Sequence, residues 1–238
     1  MITSVQLINY RCFKAADFTL APLTALVGGN GSGKSSLLRG LCPDLPLHPE
    51  DVWRHDTKLR CEVIVKQGAL EFHKLRQPGT SHQCGGTSYA AQLLALDLRR
   101  VRTPTPPSNV LRLDQDGATL VNVFASLSRD DQIAVSAALC AVVPLFHAVE
   151  HAPSRTQSGA HELRFRDRWD PKVTYTVDDV SDGTLLTFAF LVVLRQDPPP
   201  DLIVIEEPER GLHPYLLGEM ISHLRKLTVG EKGTKPVQ

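Results

Sequence analysis

The sequence predicts an α/β fold with a mixed central sheet, an antiparallel β subdomain and a small helical subdomain. Three features of the 238-residue chain carry that expectation. The apolar run Leu23-Thr24-Ala25-Leu26-Val27 leads into Gly28-Gly29-Asn30-Gly31-Ser32-Gly33-Lys34-Ser35, and Ser36-Leu37-Leu38-Arg39 follows as a first helical turn. A second apolar run, Leu202-Ile203-Val204-Ile205, ends abruptly in the paired acids Glu206-Glu207 before Pro208. Between these runs, segments of period two alternate with segments of helical spacing.

Composition excludes several classes. Apolar residues make up 42% and charged residues 22%, enough apolar content for a globular core. Lysine plus arginine and aspartate plus glutamate number 26 each, so no global field draws the chain to a polyanion. Any such binding must come from a local patch or a partner. The chain lacks an apolar stretch of membrane-spanning length and an N-terminal signal-peptide core, so the expected location is cytoplasmic, with no membrane partner. Cys12, Cys42, Cys61, Cys84 and Cys140 are odd in number and scattered, which predicts reduced thiols rather than a disulfide framework. His82 and Cys84 are close, but no second pair at zinc spacing accompanies them.

In chain order, Val5 to Ile8 and Asp17 to Leu20 predict short strands joined by a turn from Arg11 to Ala16. Leu23 to Val27 predicts a strand, and a helix runs from Lys34 to Leu41, stopping before Pro43. Residues 43–58 read as a surface loop. Cys61 to Val65 and Leu70 to Leu75 form an antiparallel hairpin through Gln67-Gly68. Leu93, Leu94, Leu96 and Leu98 give Ser88 to Val101 helical spacing, and the prolines after Thr103 end it. Helices follow over Leu120 to Leu127 and Asp130 to Phe146, the second capped by Ser128. Leu163 to Arg168 and Val173 to Val177 alternate as strands, with Arg164, Arg166 and Arg168 on one face. A helix runs from Gly183 to Arg195, Leu202 to Ile205 is a buried strand, and an amphipathic helix covers Tyr215 to Leu227. The expected divisions are an N-terminal lobe over 1–85, a helical insertion over 86–160 and a closing part of the first lobe over 161–238.

The glycine loop fits the pattern G-x-x-x-x-G-K-[ST] in its required strand–loop–helix setting. Glycines let successive backbone N–H groups converge on phosphate oxygens. Gly28, Asn30, Gly31, Ser32, Gly33, Lys34, Ser35 and Ser36 are the candidate phosphate-binding residues. Lys34 reaches the terminal phosphates, and the Ser35 hydroxyl ligates Mg²⁺. The ligand class is therefore a nucleoside triphosphate with magnesium. The paired acids place Glu206 on the metal side, through a water, and Glu207 where it can orient or deprotonate an attacking water. Ser181-Asp182-Gly183-Thr184 opens a helix about 20 residues earlier; serine and glycine there expose donors at a positive helix end.

Taken together these segments resemble the ABC-type ATPases, and within them the RecF/SMC-like and OLD-like group of P-loop NTPases. The opening Leu7-Ile8-Asn9-Tyr10-Arg11-Cys12-Phe13 is similar to the start of those proteins. Ser181 to Thr184 resembles their signature motif, and Glu206-Glu207-Pro208-Glu209-Arg210-Gly211-Leu212-His213-Pro214 resembles the run of the OLD-like branch. The resemblance implies a homodimer formed on ATP, each phosphate loop completed in trans by the partner's signature motif, with Ser181 and Gly183 on the γ-phosphate. Leu212 and His213 would be the D-loop at the seam. It also implies hydrolysis of ATP coupled to DNA repair or phage defence, with nucleic acid or an effector protein as further partners.

Gln67, and alternatively Gln77, is a weak candidate for a bridge to Mg²⁺. Arg11 and Lys14 read equally as nucleotide contacts and as a solvated strand end. The arginine stripe and the cluster Arg99, Arg100, Arg102 read as solvated faces ahead of phosphate contacts. Two departures from the family pattern stand out. No heptads mark coiled-coil arms between the loop and the signature. The chain also ends at Lys235-Pro236-Val237-Gln238, where the family places a strand leading to a switch histidine; neither His213 nor His223 substitutes. The expectation is a fragment or an abbreviated member that binds ATP. The alternatives are a transporter nucleotide-binding subunit, which the signature spelling disfavours, and a non-hydrolysing ATP-dependent interaction module.

Overall fold

The alternation around Val5 becomes a β-hairpin in the computed structural model, which describes residues 1–229. The elements in chain order are β1 (Ser4–Tyr10), β2 (Phe13–Thr19), α1 (Lys34–Gly40), β3 (Cys61–Gln67), β4 (Leu70–Arg76), β5 (Gln83–Gly86), β6 (Ala91–Leu94), α2 (Leu98–Arg102), α3 (Leu120–Ser126), α4 (Arg129–Val142), β7 (Phe146–Pro153), β8 (His161–Asp167), β9 (Thr174–Tyr175), α5 (Asp182–Val193), β10 (Leu202–Ile205) and α6 (Pro214–Val229). They group into two compact units. The first holds Met1–Leu93, Pro200–Glu206 and the described residues from Arg225; the second holds Leu94–Pro199 and Glu207–Leu224. The expected mixed sheet is divided: the strands form ladders of five, three and two. Residues 235–238, where the family pattern begins the strand leading to a switch histidine, lie outside the described ones.

In the first unit the five-stranded sheet has the order β2-β1-β3-β4-β5, with each neighbouring pair antiparallel. Val5 stands opposite Val65 and Leu7 opposite Val63, and all four are buried. One face is thus apolar, as period-two alternation dictates. Helix α1 lies on that face with Leu37 and Leu41 buried in the same core. Its closest approach is at Gly40, where an added Cβ would sit 3.3 Å from Leu7 Cδ2 and 3.5 Å from Tyr10 Cε1. The turn joining β1 and β2 is only Arg11-Cys12, shorter than expected, and the Arg11 N–H donates to the Asp51 carbonyl at 2.6 Å.

Two sequence expectations fail in this unit. Leu23 to Val27 joins no ladder. Pro22 removes a donor at its start, and the Thr24 hydroxyl accepts from the Ala21 N–H at 2.9 Å and donates to the Ala21 carbonyl at 3.0 Å, closing a local turn. Val27 is left 96% exposed. Ser88 to Val101 is not one helix: β6 occupies its middle and pairs with β10. The Ala90 N–H donates to the Asp201 carboxylate at 2.9 Å, and Asp201 N donates back to the Ala90 carbonyl at 2.7 Å, fixing that start. Leu93 and Leu94, on opposite faces, are both buried; a short strand covered on both sides carries an apolar run that periodicity does not separate from a helix.

The second unit packs α3, α4 and α5 on the antiparallel ladder β7-β8-β9. Helix α5 is apolar all round and buried along its length from Gly183 to Val193, the pattern of a helix enclosed by its domain. Phe188 on α5 meets Phe124 on α3 at 5.0 Å and Phe165 on β8 at 6.1 Å, both edge to face. The Ser128 cap of α4 is as expected, its hydroxyl accepting from the Asp131 N–H at 3.1 Å. Strand β7 was not anticipated: α4 ends at Val142 before Pro144, and Phe146 already belongs to the sheet.

Lys74 is the unusual group of the first core. It is 1% exposed, and its ammonium donates to the carbonyls of Arg39, Cys42 and Leu45 at 3.3, 2.8 and 3.4 Å. These carbonyls lie at and just beyond the C-terminal end of α1, where orphan acceptors collect and a cation is favoured. Burial pulls the lysine pKa down to about 8. An unfolded lysine titrates near about 10.4, so above pH 8 the unfolded chain holds the proton that the folded chain gives up, and stability from this group rises with pH. Urea unfolding of wild type and Lys74→Met at pH 7 and at about pH 9.5 is therefore expected to show their stability difference moving in favour of wild type at the higher pH.

Candidate nucleotide site

The glycine loop takes its shape from two left-handed residues, Gly31 at φ 77° and Gly33 at φ 97°. Gly33 is also sterically required: an added Cβ would lie 2.5 Å from Phe13 Cζ and 2.7 Å from Cys12 Sγ. The turn between β1 and β2 thus presses on the start of α1. Residues 28–32 are exposed, with the Ser32 N–H bonded to the Gly29 carbonyl at 3.3 Å. Helix α1 makes its first internal bond from the Leu37 N–H to the Gly33 carbonyl at 2.9 Å, so the N–H groups of Lys34, Ser35 and Ser36 fall among the donors that a helix start leaves unpaired within itself. The Lys34 ammonium donates to the carbonyls of Gly28 at 2.7 Å and Gly29 at 2.9 Å, which holds it at the loop's mouth.

The Ser35 hydroxyl donates to Oε1 of Glu206. Ser35 lies in the first turn of α1, Glu206 follows directly on β10, and both belong to the first unit. A hydroxyl and a carboxylate in contact are hard oxygen donors of the kind Mg²⁺ takes alongside phosphate oxygens and waters. The residues present therefore fit a magnesium nucleotide: loop donors and Lys34 for the phosphates, Ser35 and Glu206 for the metal.

Other expected residues lie elsewhere. Gln67 ends β3 beside the Ser4 end of β1, whereas Gly33 abuts Cys12 and Phe13 at the opposite end of that ladder. Gln77 follows β4 in a turn closed by the Thr80 hydroxyl. The Arg11 guanidinium donates to Asp51 at 2.7 Å, and the Lys14 ammonium sits 5.8 Å over the Trp53 ring. Both therefore have partners within the unit.

Glu207 begins the second unit. Its φ is 49°, a left-handed backbone that costs a non-glycine residue about 1–3 kcal/mol and marks functional positions more often than others. Its carboxylate lies 3.6 Å from Arg210 Nη1, both side chains being exposed. Ser181 caps α5: its hydroxyl accepts from the Thr184 N–H at 3.2 Å and bonds the Thr184 hydroxyl at 2.9 Å. Ser181 and Asp182 are exposed, while Gly183 and Thr184 are buried. Gly183 faces the turn after Glu207, where an added Cβ would lie 3.0 Å from the Gly211 carbonyl and 3.9 Å from Leu212 Cδ2. His213 Nδ1 accepts from the Tyr215 N–H at 3.3 Å at the start of α6.

The arginine stripe is largely spoken for. Arg166 makes a two-pronged bond to Glu150 at 3.1 and 3.0 Å, and Arg164 bonds Glu162 at 3.2 Å. In the other basic cluster, Arg100 pairs with Asp116 at 3.1 Å, and Arg102 reaches the Ser181 segment. Sequence reasoning missed that role for Arg102, because nothing local separates it from its neighbours. The five cysteines are free.

Gly33→Ala is expected to fail on both counts, conformation and space. Its melting temperature should fall by an amount equivalent to about 1–3 kcal/mol, and fluorescent ATP should bind at least about tenfold more weakly. Thermal denaturation and fluorescence titration measure the two effects.

Residues 1–42 match the family described as "AAA ATPase domain", and residues 121–233 match the family described as "AAA domain, putative AbiEii toxin, Type IV TA system". A segment of 53 residues is 47% identical to a protein named "OLD nuclease" from Thermus scotoductus. That segment is 22% of this chain and 9% of that protein, so the match spans a small part of the relative's length. The first match covers the β1–β2 hairpin, the glycine loop and α1; the second runs from α3 through Ser181 and the paired acids. Both family matches and the segment shared with the OLD nuclease support an OLD-like, RecF/SMC-related P-loop ATPase.

Proposed function

We propose that the chain binds Mg·ATP, dimerises head to tail around it, and couples hydrolysis to a nucleic-acid transaction in DNA repair or phage defence. The contact between Ser35 and Glu206 carries the nucleotide part of this reading, since it unites the hydroxyl of the phosphate loop with the acid that ends β10. The N–H groups of Gly28 to Ser36 and the Lys34 ammonium hold the phosphate oxygens in place. Ser35 and Glu206 hold Mg²⁺, which when bound offsets charge on the β- and γ-phosphates. Glu207 orients the attacking water and accepts its proton as the water oxygen bonds the γ-phosphorus and the bond from that phosphorus to the β–γ bridging oxygen breaks, ADP being the leaving group. Ser181 and Gly183 of a second copy contribute donors to the γ-phosphate.

The coupling to nucleic acid draws support from the segment shared with the OLD nuclease. Arg164, Arg166, Arg100 and Arg102 supply little of it, because they have acceptors of their own. The polymer is met through a partner or effector protein, or through a local patch of other basic side chains. No helix among the described residues is long and apolar enough to cross a membrane, in keeping with the cytoplasmic location we assign.

Two variants test the reading. Lys34→Ala is expected to abolish ATP binding by calorimetry. Glu207→Gln is expected to lower kcat by at least about a hundredfold, the scale of losing a general base, and to double the scattering mass with saturating ATP. A Glu207→Gln chain that stays monomeric under saturating Mg·ATP overturns the sandwich.

A further inference from the structure

The segment that leads into Ser181 is held by one side chain from far back in the sequence. The Arg102 guanidinium donates through Nη1 to the Val177 carbonyl, and through Nη2 to the Val180 carbonyl at 3.2 Å and to Asp182 Oδ1 at 2.6 Å. The three acceptors bracket Ser181, on both sides of the cap. All of these residues lie in the second unit.

The arginine is itself firmly rooted. It ends α2, whose start is capped by Asp97 accepting from the Arg99 N–H at 2.9 Å. Val101 beside it is 2% exposed and packs where a Cβ on Gly117 would come within 2.6 Å of its Cγ2. The Thr103 hydroxyl donates to the Arg99 carbonyl at 2.8 Å and closes the helix end. The Arg102 side chain is only 21% exposed, so its bonds are partly shielded from water.

The far side of the segment has its own restraint. The Asp179 carboxylate accepts from the N–H and the hydroxyl of Thr176 at 2.7 and 2.8 Å. That turn shapes residues 176–179 but does not fix their bearing on α5. A guanidinium does, because its planar fork presents several donors at fixed angles and spans two carbonyls and a carboxylate together. A lysine ammonium, compact and on a flexible stem, has no such fork.

We propose that Arg102 is the positioning residue of the signature segment, setting the backbone course from Val177 to Asp182 and thereby the direction in which Ser181 faces. This rests on the reading that Ser181 meets a second copy's nucleotide, and it adds an element that neither the phosphate loop nor the acids contain. Arg102 touches no nucleotide. Its effect is confined to presentation of the segment, so ATP affinity of a single chain does not depend on it.

The test is hydrogen exchange on the full chain without nucleotide, where dimerisation plays no part. In Arg102→Met, a peptide spanning 177–184 is expected to exchange about tenfold faster than in wild type or more, the scale of losing charge-assisted bonds. Peptides from the interior of α5 and from β8 should be unchanged, and Arg102→Lys should recover only part of the protection. Asp182→Ala, which leaves the two carbonyl bonds, should show a smaller rise in the same peptide. Unchanged exchange at 177–184 in Arg102→Met overturns the proposal. So does a uniform rise across the second unit, which would make Arg102 a general stabiliser. A second measurement reads the consequence: in a Glu207→Gln background, Arg102→Met should raise the ATP concentration for half-dimerisation about tenfold while calorimetric ATP affinity of the monomer stays level. If Glu207→Gln alone never dimerises, the sandwich falls, and the exchange result still decides the role of Arg102.

Discussion

The Ser35 hydroxyl on the Glu206 carboxylate is the contact around which the first unit is arranged. It joins residues 171 positions apart in sequence, so it exists only if α1 and the end of β10 are both held in register with the sheet core. Several features serve that end. Gly40 lets α1 lie close on β1 and β3. Gly33 admits Phe13 and Cys12 against the start of the helix, and Lys74 gathers the carbonyls at its other end. Strand β10 is in turn tied at its start through Asp201 and Ala90. A cavity or an unpaired group at any of these positions would cost on the order of 1–5 kcal/mol, against a total stability of only about 5–15 kcal/mol for a typical domain.

The second unit meets a different constraint. Helix α5 is so apolar that it must be enclosed, yet Ser181 and Asp182 at its start are exposed. Ser181 reconciles the two by capping the helix with its hydroxyl while remaining exposed. Gly183 lets the turn through Gly211 approach without a side chain between them. Glu207, at the start of that turn, keeps a left-handed backbone. Left-handed backbone occurs at Gly31 and Gly33 and at the acid that follows β10, and also at Asn9, Arg11, Arg54 and His55 away from them, so it does not by itself single out the site.

Much of this was legible in the residues themselves. The glycine loop, the acids after an apolar strand and the Ser181 cap are local patterns whose chemistry is written in adjacent positions, and each appears where it was expected. Features that depend on distant partners were not. Leu23 to Val27 looks like a strand, but the Thr24 turn after Pro22 competes locally and no ladder takes the segment. Leu93 and Leu94 look helical beside Leu96 and Leu98, and only the pairing of β6 with β10 reveals the strand. Arg102 looks like one of three equivalent surface arginines until Val177, Val180 and Asp182 are seen around it. Lys74 shares the buried face of β4 with Phe72 and stands between His73 and Leu75, and nothing in that pattern announces three carbonyls at and just beyond the end of α1.

The central claim is that Ser35 and Glu206 act as one metal-binding pair for a bound nucleotide. A double-mutant cycle on ATP affinity, measured with and without Mg²⁺ for wild type, Ser35→Ala, Glu206→Gln and the double variant, tests it most directly. The account predicts that each single variant loses most of the magnesium-dependent gain in affinity and that the double variant loses little more, the mark of residues coupled through one ion. Losses that simply add, or a magnesium-dependent gain that survives in both single variants, would contradict it.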